Sequence, residues 1–515
     1  MGKAQQTQAI DAADEAWLRN VQPSDWPSPP DRGRYDLVVI GAGTGGLITA
    51  LIASSLGARV ALVERNRMGG DCLNVGCVPS KALIAGAKRV QAAREAAALG
   101  VGIVPEDAGE FGRVMARLRG IRARISREDS AERYATEFGV DVHFGTARFE
   151  GDGGLRVGDR SLAWRRAVIA TGSRSLAPPI PGLAEAGYLD HSTVFELTER
   201  PRRLAVIGAG PIGCELSQAF ARLGSRVHLL EQMDRILPND DAEASAIVRR
   251  ALARDGVEVL LDCTIERVEA CEGGKRLHLA GLAAEPRALS VDAVLVAAGR
   301  RPNVEDLGLE TVGVECDARD GIVVDDALRT THPRIFAVGD VCMAWKFTHA
   351  ADAAAKLVVQ NALFAVGPLG RKKLSGLVMP WCTYTDPELA HVGLSESAAR
   401  ERGIAIDTHR VPFAENNRAV IEGEEEGLVK VHVRRGTDRI VGATIVGRHA
   451  GELITQLTLA IQQGIGLGAF ASVIYPYPTR GEAIKRAAGA HARSRLTPTV
   501  KRLLARWITL RRGRP

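Results

Sequence analysis

The sequence predicts an α/β protein: two Rossmann-like dinucleotide-binding domains followed by a C-terminal α+β dimerisation domain. Apolar strands ending in glycine-rich turns recur along the chain, and near residue 378 the pattern changes to alternating strands and a helix. Size and composition agree. A length of 515 residues suits about three domains. Hydrophobic residues at 46% and charged residues at 25% exclude a disordered or fibrous chain. Aromatics at 4% are too sparse for nucleic-acid stacking platforms, whereas 55 glycines suit turns that bring backbone against a ligand.

Residues 1–33 end in DWPSPPDRG and form an N-terminal extension, packed on or trailing from the body. Their start lacks the apolar core of a signal peptide, so a cytoplasmic protein is expected. The uncharged stretch 37–58 has the length of a membrane span, but its glycines break it into strand, turn and helix. Two similar units follow, YDLVVIGAGTGGLITALIASSLGARVALVE at 35–64 and RLAVIGAGPIGCELSQAFARLGSRVHLLE at 203–231. Each reads strand, GxGxxG, helix, strand and Glu, with the Glu 23 residues after the first glycine. Gly41 and Gly208 make the tight turn, Gly43 and Gly210 admit a pyrophosphate, and Gly46 and Gly213 let helix pack on strand. Glu64 and Glu231 are placed to accept from ribose hydroxyls, so the chain is expected to hold two dinucleotides.

Further strands end in small residues at AVIATGS (167–173), AVLVAAGR (293–300) and RIFAVGD (334–340), which bring Thr171, Gly172, Gly299, Gly339 and Asp340 to strand ends. Hinges at APPIPG and GPLGRKK give boundaries of 1–33, 34–180, 181–301, 302–373, 374–490 and 491–515. In the α+β part, LVKVHVRR and IVGATIVG read as strands and about 451–463 as a helix.

Between the first unit and its next helix stands GGDCLNVGCVPSK, with Cys72 and Cys77 five apart and Lys81 four further on. Two structural thiols would satisfy the spacing. No second CxxC or histidine cluster supports a metal site, and flanking dinucleotide sites favour a redox-active dithiol.

From about residue 35 to 488 the chain resembles the FAD-dependent class I pyridine nucleotide-disulfide oxidoreductases, the group of dihydrolipoamide dehydrogenase, glutathione reductase and mercuric reductase. The resemblance rests on GxGxxG at Gly41, CxxxxC at Cys72, ATG at Thr171, the second GxGxxG at Gly208 and GD at Gly339 and Asp340, in that order. It implies domain roles: FAD-binding for 34–180 and 302–373, NAD(P)-binding for 181–301 and dimerisation for 374–490. It further implies FAD on Gly41, Gly43, Gly46 and Glu64, with Asp340 on the ribityl chain and Lys81 beside the flavin, paired with Glu215. Cys77 would be the thiol nearest the flavin and Cys72 the one that meets substrate. NADH would lie on Gly208, Gly210 and Gly213. Glu231 favours a free 2′-hydroxyl over a 2′-phosphate, while nearby Arg235 leaves NADPH open. The active unit would be a homodimer, with Tyr477 and Glu482 of one subunit completing the other's site.

One motif departs from the disulfide reductases, which resemble one another in a C-terminal His-Pro with a Glu five residues on. Here YPYPTRGE places Tyr477 at the histidine and keeps Glu482. An imidazole titrates near pH 6.5 and shuttles protons at neutral pH; a phenol, near 10, does so poorly. Mercuric reductase is similar in having tyrosine there, so a soft metal ion such as Hg(II), or another small acceptor, is expected ahead of a disulfide. Tyr188 aligns with another tyrosine of that branch only through a gap. That branch's N-terminal CxxC domain and C-terminal vicinal cysteines have no counterpart, since no cysteine follows Cys382.

Other conspicuous residues have plainer readings. Cys214, Cys263, Cys271, Cys316, Cys342 and Cys382 are expected as small core residues in strands or helices. His349 is expected to start a helix, EGEEEG near Glu424 to be a solvated turn, and Arg300 and Arg301 to fix a loop. Charge is concentrated at the end of the chain: of a formal +6, residues 491–515 contribute eight Lys or Arg and no acid, leaving the body at about −2. No broad basic footprint for nucleic acid results. In LTPTVKRLLARWITLRRGRP, Thr497 can cap a helix whose Val500, Leu503, Leu504, Trp507 and Ile508 form an apolar stripe, with Lys501, Arg502, Arg506, Arg511 and Arg512 as its basic face and end. Such a helix either packs on the dimer or makes peripheral contact with an anionic membrane.

Overall fold

The computed structural model describes residues 12–96, 100, 111–281, 287–367 and 369–512, so the first eleven residues of the expected extension and the last three of the tail lie outside the described residues. The chain divides into two compact units. One comprises Met1–Ala209, Ala219–Gln232 and Cys263–Leu377, the other Gly210–Gln218, Met233–Asp262 and Val378–Pro515.

The first unit opens with helix α1 (Ala12–Val21), then β1 (Tyr35–Ile40), α2 (Thr44–Ser55), β2 (Val60–Glu64), α3 (Gly70–Asn74), α4 (Cys77–Glu95), α5 (Phe111–Ile125) and β3 (Asp141–Phe144). The strands β3, β2 and β1 pair in parallel in that order, and β1 continues onto the strand Arg160–Ile169 with Leu37 opposite Arg166. The far edge of that strand takes Gly154–Val157 antiparallel along its first half and Ile335–Ala337 parallel along its second. Val38, Ile40, Val63, Trp164 and Ile169 are buried in the core beside it, as uninterrupted apolar runs require when both faces of a parallel sheet are covered. The strand expected over 167–173 ends at Ile169, which leaves Thr171 and Gly172 in the turn that follows.

The second GxGxxG copy repeats this plan: Arg226–Leu230, Arg203–Ile207 and Ala293–Val296 pair in parallel, in that order. From residue 12 onward the extension packs on the body. Trp17 and Val21 of α1 are buried, and Trp26 donates its indole N–H to the Val142 carbonyl at 2.9 Å.

In the second unit the strands Pro380–Thr383, Glu388–Gly393, Ile440–Gly447, Leu428–Arg434 and Ile406–Pro412 form one antiparallel sheet in that order. The helix expected over 451–463 is Ala450–Gln463, and its Leu453, Ile454 and Leu457 are buried in the same core as Val429, Val431 and Ile445. The helix Glu482–Ser494 runs through the boundary expected at 490/491, and His491 is buried with its Nδ1 3.0 Å from His409 Nε2. EGEEEG is not simply solvated, since Glu422 and Glu424 hold the buried Arg480 and Glu424 also pairs with Arg448. The last helix, Pro498–Arg512, is capped as expected: Val500 N–H donates to Thr497 Oγ1 at 3.3 Å. None of its residues is buried.

The single cysteines divide. Cys214 and Cys263 are buried, Cys271, Cys342 and Cys382 are half-buried, and Cys316 is exposed on the two-residue strand Cys316–Asp317. Cys263 and Cys342 lie outside helices and strands, because each falls where a strand or short helix has ended.

Candidate active site

The β1–α2 turn is shaped for a ligand's phosphates. Gly41 has φ +102°, and a Cβ there would lie 2.4 Å from the Ala170 carbonyl oxygen. At Gly46 a Cβ would fall 1.8 Å from Gly41 O, so the helix meets the strand end only without one. Gly43 begins α2 with no side-chain cap, which leaves the helix's first N–H groups to an anion. The spacing of 23 residues has a structural meaning in both copies. Glu64 Oε2 accepts from Ala42 N–H at 2.7 Å, and Glu231 Oε2 accepts from Ala209 N–H at 2.7 Å. Each carboxylate thus returns to the residue after the first glycine and keeps lone pairs for ribose hydroxyls. Burial pushes the Glu64 carboxyl up, against the backbone hydrogen bonds from Ala42 and Asn66.

The second turn repeats the first: Gly208 has φ +99°, and a Cβ there would lie 2.8 Å from Ala297 O. Gly210 faces open space, and Gly213 lies in the helix Pro211–Arg222. Arg235 donates to the carbonyl of Pro238.

The cysteine loop packs directly on the first turn. A Cβ on Gly70 would lie 2.6 Å from the Gly43 Cα, which explains the Gly-Gly before Asp71. Cys72 is carried on α3 and Cys77 is the first residue of α4, where the helix dipole favours an anion. The two thiols are hydrogen-bonded to each other. That bond first, then burial, pushes the Cys72 thiol far above its ordinary value. Thr348 Oγ1 lies 3.3 Å from Cys77 Sγ, at the start of the helix Thr348–Val359. His349 stacks on Phe347 at 5.3 Å; its neighbour Thr348, not singled out from the sequence, is the residue that meets the sulfur. A cavity of about 390 Å³ opens beside Cys77 and Lys81, walled by Ala82, Ala85, Ile121 and Ile125 and carrying Arg117.

Asp71 is braced from two sides, by His191 Nε2 at 3.1 Å and by the Arg300 guanidinium. Burial alone would push its carboxyl up; these partners overcome it and hold the group below the usual range. Arg300 also donates to Ser173 Oγ at 2.7 Å and pairs with Asp340 at 3.4 Å, so it fixes the loop as expected and ties it to the GD turn. Gly339 there has φ +81°, and Asp340 accepts from Ser173 Oγ at 2.6 Å. Thr171 and Asn303 bond reciprocally at 2.7 and 2.9 Å, holding Gly172 in its turn, while the Gly299 carbonyl accepts from Leu176 N–H at 3.1 Å.

The remaining candidates belong to the second unit. Glu215 is buried and accepts from Tyr384 N–H at 2.8 Å. Tyr477 is 70% exposed, its hydroxyl accepting from Asn417 Nδ2 at 2.9 Å, and Glu482 begins the helix that follows. Tyr188, in the first unit, is also exposed.

The glycine cradle, the uncapped α2 terminus and the Glu64 carboxylate fit the pyrophosphate and ribose of an FAD. Comparison with known proteins agrees. Residues 35–355 match the family described as pyridine nucleotide-disulphide oxidoreductase, and 379–488 match its dimerisation domain. Mercuric reductase of Bacillus cereus is 34% identical over 456 residues, covering 88% of this chain and 71% of its own. Dihydrolipoyl dehydrogenase of Thermus scotoductus is 36% identical over 464 residues, covering 88% and 97%. The HOCl-induced flavoprotein disulfide reductase RclA of Escherichia coli superimposes with a TM-score of 0.78 at 28% identity, covering 88% of this chain and 99% of its own; its Cu(II) complex gives the same score.

Proposed function

The chain belongs to the pyridine nucleotide-disulphide oxidoreductase family, and from that membership we propose that Cys72 and Cys77 are its redox pair and that a soft metal ion is its preferred acceptor. It is an FAD-dependent enzyme that uses NAD(P)H. Gly41, Gly43, Gly46 and Glu64 would hold FAD, which would supply hydride acceptance from a reduced nicotinamide and electron-pair delivery to a disulfide. The protein's part is to hold two sulfurs in contact at a helix start and let Thr348 face Cys77. That arrangement is the observation that carries the redox assignment.

The acceptor reading rests on Tyr477. A phenol is a poor proton shuttle at neutral pH, whereas a soft ion needs thiolates and no returning proton. Relatives named mercuric reductase, and a neighbour solved as a Cu(II) complex, support a metal acceptor. Among the described residues no three His, Cys, Asp or Glu side chains gather to hold a metal, so the ion would depend on Cys72 and Cys77. We place the site in a homodimer, where the partner's Tyr477 and the partner's Glu482 complete it. NADH is preferred to NADPH, since Glu231 repels a 2′-phosphate and Arg235 is engaged with Pro238.

Steady-state assays with Hg(II), Cu(II), lipoamide and glutathione disulfide, each with NADH and NADPH, test the reading. NADH-driven turnover of a metal ion that falls at least tenfold in Tyr477→Phe is expected. Fast disulfide turnover that survives Tyr477→Phe would replace this reading with a dihydrolipoyl dehydrogenase-like one, and a higher kcat/KM for NADPH would reverse the coenzyme assignment.

A second reading concerns location. No helix among the described residues is long and apolar enough to cross a membrane, but Pro498–Arg512 exposes Leu503, Leu504, Trp507 and Ile508 beside five cations. We assign it to the surface of an anionic bilayer.

A further inference from the structure

We infer that residues 12–22 form a strap that positions the redox loop, with Trp17 and Arg122 as positioning residues for the Cys72–Cys77 pair. The inference rests on the assignment of that pair above. It starts from Asn74, which lies between the two cysteines at the end of α3 and is 4% exposed. Its side-chain amide donates to Met68 O at 2.9 Å and Gly70 O at 2.8 Å, which closes the loop on itself. Its carbonyl oxygen accepts from Trp17 Nε1 at 2.7 Å, across 57 residues of sequence. Without the strap this buried oxygen would lose that donor.

The strap is itself clamped. Trp17 is 3% exposed, and the Arg122 guanidinium stacks on its ring at 3.7 Å. Arg122, on α5, donates to Asp14 of the strap at 2.9 Å, to Glu196 at 2.7 Å and to the main-chain carbonyl of Asn74 at 3.3 Å. At the strap's end, Val21 O accepts from Met68 N–H at 3.0 Å, just before the loop begins. The loop is therefore tied before Cys72 by Val21 and again between the cysteines by Trp17, and both residues precede the family's matched span.

Holding the loop raises the effective concentration of each sulfur at the other, and that favours the disulfide over the dithiol. Loosening the strap therefore makes the disulfide easier to reduce. Trp17→Phe keeps an aromatic ring for Arg122 and removes only the N–H that Asn74 accepts. Trp26→Phe is its matched control: it removes an indole bond of the same kind, to Val142 O, from the same extension but away from the cysteines.

The test equilibrates each holoenzyme with glutathione and glutathione disulfide. Two thiols become one disulfide, and glutathione disulfide takes up the two electrons and two protons as two glutathiones. The Cys72–Cys77 state is read by alkylation and mass spectrometry. Trp17→Phe is expected to shift the equilibrium about 3–10-fold toward dithiol, about 15–30 mV for a two-electron couple, with Trp26→Phe unshifted. Equal shifts in both variants would reduce the strap to a general stabiliser, and no shift in Trp17→Phe would overturn the inference. If the wild-type pair shows no equilibrium between the two forms, the assignment of the pair itself fails instead.

Discussion

The helices α1 and Pro498–Arg512 both lie outside the span 35–488 that the family matches cover, and both are amphipathic, yet one is built into the molecule and the other is bare. The difference is in charge. α1 carries Asp14 and Glu15 with Arg19, and Asp14 finds a buried counter-ion in Arg122 within its own unit. The C-terminal helix carries only positive charge, with no acidic residue after Glu482, and none of its side chains is buried. A terminal segment whose charges are met inside the chain becomes part of the site. One whose charges are all of one sign stays exposed along its length.

The sharpest way to break the comparison is to remove the internal counter-ion. Arg122 is fully buried, and Arg122→Ala strips Asp14 and Glu196 of a cation and Trp17 of its stacking partner. A loss of about 3 kcal/mol or more is expected, read as a lower denaturant midpoint of the transition that exposes Trp17. An unchanged midpoint would mean the extension is only laid on the surface.

The second unit should respond to acid. Burial lowers both His391 and His432 from 6.5 to about 4. Between those values the unfolded chain binds the protons and the folded chain does not, so stability falls as pH falls from 6.5 toward 4, by up to about 3 kcal/mol for each. Asp240, raised by burial to about 6, protonates earlier when folded and returns part of this below pH 6. Denaturation followed at pH 7 and pH 5 should show the net loss, and His391→Gln should shrink it. A pH-independent midpoint would contradict the buried neutral imidazoles.

The smallest effect on folding is expected at the tail. A chain ending at Leu496 should change stability by no more than about 0.5 kcal/mol, yet lose at least tenfold in flotation with anionic vesicles, to which each nearby Lys or Arg contributes about 1 kcal/mol. Equal flotation of the two chains would remove the membrane reading. The cut falls after Leu496 because His491 belongs to the preceding helix.

Much of the fold was legible because its signals are local. The two glycine fingerprints and the Glu 23 residues on fixed both βαβ units, and the apolar stripe after Thr497 gave the last helix with its cap. The cysteine pair drew its reading from its spacing together with the dinucleotide fingerprints on either side. The residues that hold its loop were not legible, because Trp17, Arg122, His191 and Thr348 lie 48 to 271 residues from the loop partners they contact, and nothing local marks a residue whose partner lies so far along the chain. Arg122 sits among the basic residues of α5 and looks like part of a solvated face; only the packing of α1 makes it a buried centre. The exposed Cys316 failed for the complementary reason: its two-residue strand is too short to carry a burial pattern.

The central claim is that electrons from NADH reach Cys72 and Cys77. Anaerobic titration of the holoenzyme with NADH measures it most directly. A long-wavelength absorption from a thiolate beside oxidised flavin should grow in, remain in Cys72→Ser and be absent from Cys77→Ser. A band that survives in Cys77→Ser would contradict the assignment.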